Sequence, residues 1–196
     1  MSGHKLEPKD LMSLEQYAQQ RDGIRERIIV HKRARTLHIG PNLTLLFEDR
    51  ETMRYQVQEM LRAERIFEAA GIRDELDAYN PLIPDGSNWK ATMLIEFDEE
   101  AERREALGKL IGIEDKVWVR VHGHVQVFPI ADEDLERETE EKTSSVHFLR
   151  FELTASMVKA LKEGEVLDAG VDHPEYSYSV KPVPAELQKS LLTDLS

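Results

Sequence analysis

The sequence contains no cysteine, which excludes a disulfide scaffold, a thiolate zinc site and a cysteine-bound iron–sulfur cluster on this chain. It also has no run of about 20 apolar residues, so we expect neither a membrane-spanning helix nor a membrane partner. The first ten residues lack the apolar segment of a signal peptide, which predicts a cytoplasmic protein. The 40% of hydrophobic residues and 33% of charged residues are ordinary for a folded protein, and 196 residues are enough to bury a core.

Motifs of the familiar catalytic classes are also missing. The sequence has no glycine-rich loop for a dinucleotide or a phosphate, no His-Glu-x-x-His zinc motif and no Gly-x-Ser-x-Gly nucleophile turn. It has no Glu-x-x-His pair either, which argues against a ferritin-like di-iron protein. The sequence therefore leaves open whether this protein is an enzyme.

Charge is distributed unevenly along the chain, whose formal net charge is −12. Residues 1–40 carry +3, whereas the rest carries −15, with seven acidic residues between positions 132 and 141. We predict a basic helical arm over residues 1–40 and a single α+β domain over residues 41–196, which contains an acidic linker at residues 131–145. An acidic body repels nucleic acid, so we do not expect nucleic acid to bind, whereas patches of opposite sign favour a protein partner or a homodimer.

Local patterns predict an α+β fold with a mixed or antiparallel sheet, packed helices and the N-terminal helical arm. The capping box of Ser13 and Gln16 begins the first helix, and period-2 alternation marks the strands. A hairpin between residues 117 and 128 would place Val119 opposite Val127 and Val121 opposite Val125. The predicted helices are 14–30, 50–70, 98–111, 154–162 and 184–195, the strands are 35–39, 43–48, 91–97, 146–153 and one near 178, and residues 77–88 form a loop.

Two residues are candidates for acid–base or metal chemistry because they fall on apolar faces. Glu64 falls in the middle of the apolar stripe of the predicted helix 50–70, where burial would raise the pKa of its carboxyl. His147 shares a strand face with Leu149 and Phe151. Glu64 and His147 are therefore the predicted metal ligands, although a snorkelling glutamate and a satisfied core histidine are the structural alternatives. No cofactor follows from the sequence itself, and a divalent metal ion is the candidate that remains.

A small set of other polar residues would complete a ligand-binding pocket. The proline-rich loop supplies Tyr79 and Asn80, and the residues around 173 form a second polar loop. Two roles are predicted for Arg150. It binds an anionic ligand, or it forms a structural ion pair with Glu152, which lies on the same face of the strand. His122 and His124 have the His-x-His spacing of some metal sites, but the hairpin puts them at an exposed turn. The predicted ligand-binding residues are Glu64, Glu68, Tyr79, Asn80, Arg150 and His173.

Five stretches together resemble a known bacterial family of proteins of unknown function. They are GPNLTLLFE at 40–48, YQVQEMLR at 55–62, residues 75–84 ending in AYNPLIP, SVHFLRFE at 145–152 and DHP at 172–174. The resemblance covers about residues 10–195 and so implies a full-length member. Genes of this family often stand beside those of rubrerythrin and an iron–sulfur oxidoreductase, which implies an accessory role in peroxide or iron–sulfur redox metabolism. The resemblance brings no catalytic residues, and any cluster must lie in a partner.

Two functions are therefore open at the level of sequence. The first is a cytoplasmic accessory or interaction protein for a redox system, which docks a partner through the basic arm or the acidic linker. The alternative is a small metal-dependent or ligand-binding enzyme with a pocket of carboxylates and histidine. The alternative requires at least three of the candidate side chains to converge on one concave site.

Overall fold

The computed structural model of the protein describes residues 4–196. Within them the chain forms six α-helices and eight strands, which confirms the predicted α+β class. The helices are α1 (Leu14–Arg33), α2 (Arg50–Glu64), α3 (Ala69–Tyr79), α4 (Glu100–Lys109), α5 (Ala155–Lys162) and α6 (Ala185–Leu192). The strands are β1 (Thr36–Ile39), β2 (Leu43–Glu48), β3 (Asn88–Ile95), β4 (Val117–Val121), β5 (Ile130–Ala131), β6 (Val146–Glu152), β7 (Leu167–His173) and β8 (Tyr176–Val180).

The described strands form two antiparallel sheets. The larger sheet has the order β1-β2-β3-β6-β5, and the smaller one has the order β4-β7-β8. The pairing of β3 with β6 sets Ala91 opposite Leu149 and Met93 opposite His147. Because side chains alternate along a strand, these four side chains share one face of the sheet, and all four are buried. His147 is thus buried on the same face of the larger sheet as these apolar side chains.

Within residues 4–196, two hydrophobic clusters fill the interior. The main cluster takes apolar side chains from both sheets and from α4, α5 and α6. A smaller cluster joins α2 and α3 to Leu6 near the beginning of the described chain. Helix α1 is mostly exposed and contacts α2 through polar groups, where the Arg21 guanidinium lies 2.8 Å from the Glu59 carboxylate and the Tyr17 hydroxyl donates to the same carboxylate. Tyr17 and Ile28 are the buried residues of α1, and two are too few to form a pronounced apolar stripe.

Several local predictions are confirmed at the level of single contacts. Ser13 caps α1 because its hydroxyl accepts a hydrogen bond from the Gln16 amide, and the Gln16 side-chain oxygen accepts one from the Ser13 amide. The helix predicted from residue 154 is confirmed as α5, and the Thr154 hydroxyl caps it by accepting a hydrogen bond from the Met157 amide. Val119 and Val127 form an antiparallel bridge as the hairpin requires, but Val125 is 76% exposed and lies outside any ladder. The turn therefore exists, whereas its returning strand is only a single bridge.

The predicted helix over 50–70 is wrong, and the error removes the reason for placing Glu64 in a buried stripe. Arg65 adopts a left-handed conformation with φ of 56°, which ends α2 at Glu64, and a new helix begins at Ala69. The connection turns Phe67 outward, and Glu64 and Glu68 are both exposed. Gly71, which follows the predicted end of the helix over 50–70, lies inside the first turn of α3.

The sequence patterns also missed β7, in which the apolar positions are interrupted by two aspartates and a glycine. Asp168 is stabilised by Arg120 of β4, whose guanidinium lies 2.6 Å from its carboxylate. Gly170 lies under the Trp118 ring, where a Cβ would approach the ring to 2.4 Å. These contacts are tertiary, so nothing in the local pattern reports them. His173 accordingly lies at the end of this strand and not in a loop.

Two further predictions concern the organisation of the chain. The predicted boundary at residue 40 lies in the turn between β1 and β2, and the division into arm and domain stays a prediction. Among residues 4–196, no helix combines the length and the apolarity that crossing a membrane requires.

Candidate metal centre

The His147 imidazole is the centre of a buried polar cluster. Its Nδ1 atom is hydrogen-bonded to Asp132 Oδ2 at 2.6 Å. On the opposite side of the ring, Nε2 lies 2.9 Å from the Thr143 hydroxyl and 3.0 Å from the Ser144 carbonyl oxygen. The side chain has no exposed surface. Its orientation is thus fixed by partners at both ring nitrogens.

Asp132 is locked in place where the chain leaves β5 and enters the acidic linker. Its backbone amide donates to the Phe148 carbonyl at 2.8 Å, and its Oδ1 atom accepts from the Phe148 amide at 2.9 Å. The Arg137 guanidinium lies 3.3 Å from the same oxygen. Asp132 has φ of 49°, a left-handed conformation that aspartate tolerates better than most residues. The carboxylate is therefore anchored to β6 before it meets His147.

Glu114 reaches the cluster from a short 3₁₀ helix over Ile113–Lys116. Its Oε2 atom accepts a hydrogen bond from the Thr143 hydroxyl at 3.4 Å and lies 3.9 Å from His147 Nε2. Burial raises the pKa of Glu114, and the nearby Glu138 carboxyl raises it further, whereas His147 opposes both effects. The Glu114 carboxyl is therefore poorly compensated in the present set of contacts.

The charge around the cluster is predominantly negative. Glu114, Asp132 and Glu138 bring three carboxyl groups together, and Arg137 is the one guanidinium bonded to any of them in the described chain. Arg137 is shared with Asp134, to which it makes hydrogen bonds of 2.5 and 2.7 Å. Buried carboxyl groups need compensation, and an additional cation is one form of compensation that this cluster could hold.

The distances suit an ion between Glu114 and His147. Ligand atoms from Glu114, Asp132 and His147 all lie within 4.8 Å of one another. Two ligands that each lie about 2.1 Å from one ion are at most about 4.2 Å apart, and the Glu114 Oε2 to His147 Nε2 distance is 3.9 Å. Asp132 would then orient the ring through Nδ1, as a carboxylate does behind many metal-binding histidines. The Thr143 hydroxyl and the Ser144 carbonyl are further oxygen donors beside Nε2.

The other predicted site residues do not join this cluster. Glu64 and Glu68 lie on the surface at the connection between α2 and α3. Tyr79 packs against the smaller hydrophobic cluster. Asn80 binds the backbone of Leu6, accepting from its amide at 2.7 Å and donating to its carbonyl at 3.0 Å. Their role in ligand binding stays a prediction, now without the buried position that motivated Glu64.

Arg150 and His173 have their polar atoms occupied by other groups of the protein. Arg150 holds Glu133 through two hydrogen bonds of 2.8 and 2.7 Å and also contacts Glu152. His173 is buried, with Nε2 hydrogen-bonded to the Ile111 carbonyl at 3.0 Å and Nδ1 accepting from the Glu175 amide. His122 is exposed, and His124 is half-buried in the same turn. The roles of Arg150 and His173 in ligand binding stay predictions.

Sequence reasoning identified His147 but missed Glu114 and Asp132. Asp132 belongs to the acidic run that is predicted to be a linker, and Glu114 lies two residues after Gly112 in a segment without a periodic pattern. The three residues lie on different elements, and only the pairing of β5 with β6 brings Asp132 to His147. The one local signal was a histidine on an apolar strand face.

Comparison with known proteins gives a family and a fold without an activity. The family described as "Protein of unknown function (DUF3501)" matches residues 5–195. A crystal structure of a "novel protein of unknown function" from Burkholderia pseudomallei is 50% identical and has a TM-score of 0.93, covering 98% of this chain and 100% of that one. No curated protein matches this chain.

Proposed function

The chain belongs to the DUF3501 family, and for this member we propose a metal-binding function: Glu114 and His147 hold one divalent transition-metal ion, and Asp132 orients the imidazole. The observation that carries the proposal is the 3.9 Å separation of Glu114 Oε2 and His147 Nε2 in a buried and negatively charged surrounding. One imidazole with carboxylate, hydroxyl and carbonyl oxygens is a donor set for Mn²⁺, Fe²⁺ or Zn²⁺.

The ion would connect three distant parts of the chain. Glu114 precedes β4, Asp132 follows β5, and His147 lies on β6. The contact between Asp132 and His147 already closes the loop that contains most of the acidic linker. A cation here would reduce the mutual repulsion of the linker carboxylates and hold the loop against the edge of the larger sheet. The role that we propose for the ion is therefore structural or regulatory.

The test is titration of the chelator-treated protein with Zn²⁺, Mn²⁺ and, without oxygen, Fe²⁺. We expect elemental analysis to find one ion per chain. We also expect the free energy of unfolding to rise by about 2.7 kcal/mol when the free ion is at 100 times its Kd, because the ion binds the folded state. Amide hydrogen exchange in the acidic linker should slow on binding.

Matched variants separate this site from adventitious binding. E114Q and H147N should abolish stoichiometric binding, and D132N should weaken the affinity about 10- to 100-fold because it acts through the histidine. E140Q and H122N change an exposed acid and an exposed histidine and should bind as the unaltered protein does. If none of the three ions binds the folded protein, or if E140Q loses the ion together with E114Q, the proposal is wrong.

A second candidate function is that of an accessory protein that docks a redox partner, as the family resemblance implies. It is supported by exposed apolar side chains that flank the candidate metal centre in sequence, among them Val125 at 76% and Leu135 at 56% exposure, together with Phe128. The basic α1 and the acidic linker offer complementary charge for the same purpose or for a homodimer.

This docking function is tested with defined proteins. The purified chain is mixed with rubrerythrin and the iron–sulfur oxidoreductase of the same genome, and mass is measured by light scattering at low and high salt. We expect a complex, or a dimer of the chain alone, that dissociates at high salt and is weakened by F128S. F67S, at an exposed phenylalanine elsewhere, should not weaken it. A monomer with no complex at low salt contradicts this function.

A further inference from the structure

A cavity of about 320 Å³ lies between α1, α2 and the segment that precedes α1. Its volume is at the lower end of the range of small-molecule sites. Ile24 and Ile28 of α1, Met12 and the Tyr55 ring of α2 give it apolar walls. The cavity shares no residue with the candidate metal centre and contains no residue of the pocket predicted from sequence.

His31 contributes a rigidly oriented imidazole to this cavity. Its Nε2 atom is hydrogen-bonded to Asp49 Oδ2 at 2.6 Å. Asp49 is itself fixed, since its Oδ1 atom accepts from the Thr52 amide at the beginning of α2 and its Oδ2 atom lies 3.4 Å from the Arg35 guanidinium. The Asp49 hydrogen bond raises the pKa of His31, so the ring is more often positively charged. Within residues 4–196, the His31 Nδ1 atom has no hydrogen-bond partner.

The acidic groups at the cavity are already paired. Asp10 lies 2.8 Å from the Arg50 guanidinium, and Glu51 lies 2.7 Å from that of Arg54. Arg27, by contrast, lines the cavity and makes no ion pair in the described part of the chain. The uncompensated charge of the cavity is therefore positive.

Arg27 and His31 are four residues apart on α1, so their side chains are neighbours on one face of the helix. We propose that the cavity binds a small organic anion, whose carboxylate lies between Arg27 and His31 and whose apolar body packs against Ile24, Ile28 and the Tyr55 ring. A guanidinium and an oriented imidazole beside an apolar wall are complementary to such a molecule. Each of the two cations can donate a charge-assisted hydrogen bond to the carboxylate, and such bonds are stronger than those between neutral groups. This site is independent of the metal function proposed above.

The test uses three probes of the same shape that differ in charge. Benzoate, benzamide and benzamidine are titrated into the ¹⁵N-labelled full chain, and amide chemical shifts are followed. We expect benzoate to shift residues around Arg27, His31 and Tyr55 and to bind at least about tenfold more tightly than benzamide, with no saturable binding of benzamidine.

Variants on the same helix serve as matched controls. R27A should weaken benzoate binding about tenfold, and R27K should recover part of the loss because it restores the charge without the fork of donors. R25A removes an exposed arginine that does not line the cavity and should leave the affinity unchanged. The side chains of Arg25 and Arg27 are both exposed, so these changes leave the fold intact.

Three results would overturn the inference. The first is the absence of saturable shifts at the cavity up to the solubility limit of benzoate. The second is equal binding of benzoate and benzamide, which would remove the role of charge. The third is an equal loss of affinity in R25A and R27A, which would point to the general positive field of α1 in place of a site.

Discussion

At the scale of single residues, one hydroxyl group of the smaller sheet is hydrogen-bonded to backbone groups of the larger sheet. The Tyr176 hydroxyl of β8 donates to the Ile39 carbonyl at 2.7 Å and accepts from the amides of Asn42 and Leu43 at 3.0 and 3.1 Å. Asn42 lies in the turn between β1 and β2, and Ile39 and Leu43 are the strand residues on either side of that turn. Gly40 allows the approach, since it has φ of 71° and a Cβ there would lie 2.6 Å from the same hydroxyl. The turn is thus satisfied by a side chain from the other sheet.

We therefore expect Y176F to destabilise the protein by about 1–3 kcal/mol, because it leaves up to three backbone groups without their partner while the ring is kept. Y178F is the control, since Tyr178 is half-exposed on the same strand and its hydroxyl has no hydrogen bond within residues 4–196. It should change stability by less than about 0.5 kcal/mol. Urea unfolding of the three proteins measures the difference, and equal stabilities for both variants would show that the turn does not depend on this hydroxyl.

For the candidate metal centre, the sequence predicted only the residue whose burial follows from strand alternation. His147 follows the period of its strand, so its buried position was predictable. Glu114 and Asp132 depend on how a 3₁₀ turn and a two-residue strand pack beside β6, which is information held by distant contacts. Acidic side chains in a charged run are also usually solvated, and that general expectation concealed Asp132.

At the scale of elements, replacement of glycine by alanine is expected to have opposite effects on stability at two positions, Gly170 of β7 and Gly23 of α1. Gly170 of β7 lies against Trp118, and an added Cβ would come within 2.4 Å of the ring and 2.9 Å of the Tyr178 carbonyl oxygen. Gly23 lies inside α1, where the nearest heavy atom to an added Cβ is 3.8 Å away on the flexible Arg27 side chain. We expect G170A to destabilise the protein by about 1–3 kcal/mol through overpacking, and G23A to stabilise it by about 0.5–1 kcal/mol through helix propensity.

Thermal and urea unfolding of G170A and G23A distinguish these effects. Both variants add one methyl group, so a common direction of change would mean that the packing at Gly170 is not tight or that α1 is not stabilised by its own propensity. The comparison also tests why β7 escaped prediction, because the requirement for glycine at position 170 comes from a tryptophan on another strand.

The errors over α2 and α3 have the same origin. The apolar residues of 50–70 fit one continuous stripe, and nothing in that pattern indicates that Arg65 would adopt a left-handed conformation. The break allows α3 to pack beside α2 on the smaller cluster, so tertiary packing decided where the helix ends. Periodicity predicts that a helix exists more securely than it predicts where the helix stops.

For the whole molecule, composition and periodicity were sufficient for the class but not for the architecture. The alternation of strand and helix patterns predicted an α+β chain, and the structure confirms it. The division of the strands into two sheets depends on β7, which pairs with β4 on one side and β8 on the other. Because β7 is absent from the strands predicted by sequence, no second sheet could be predicted from β4 and β8.

The order of strands along the chain interleaves the two sheets. Strand β4 of the smaller sheet lies in sequence between β3 and β6, which are neighbours in the larger sheet, and its own partner β7 follows β6. Neither sheet is therefore formed by one continuous segment of the chain. The segment that contains β4 connects β3 to β6, so separation of β3 from β6 also releases the ends of that segment. This topology favours cooperative unfolding, in which both sheets are lost in a single transition and neither persists as an intermediate.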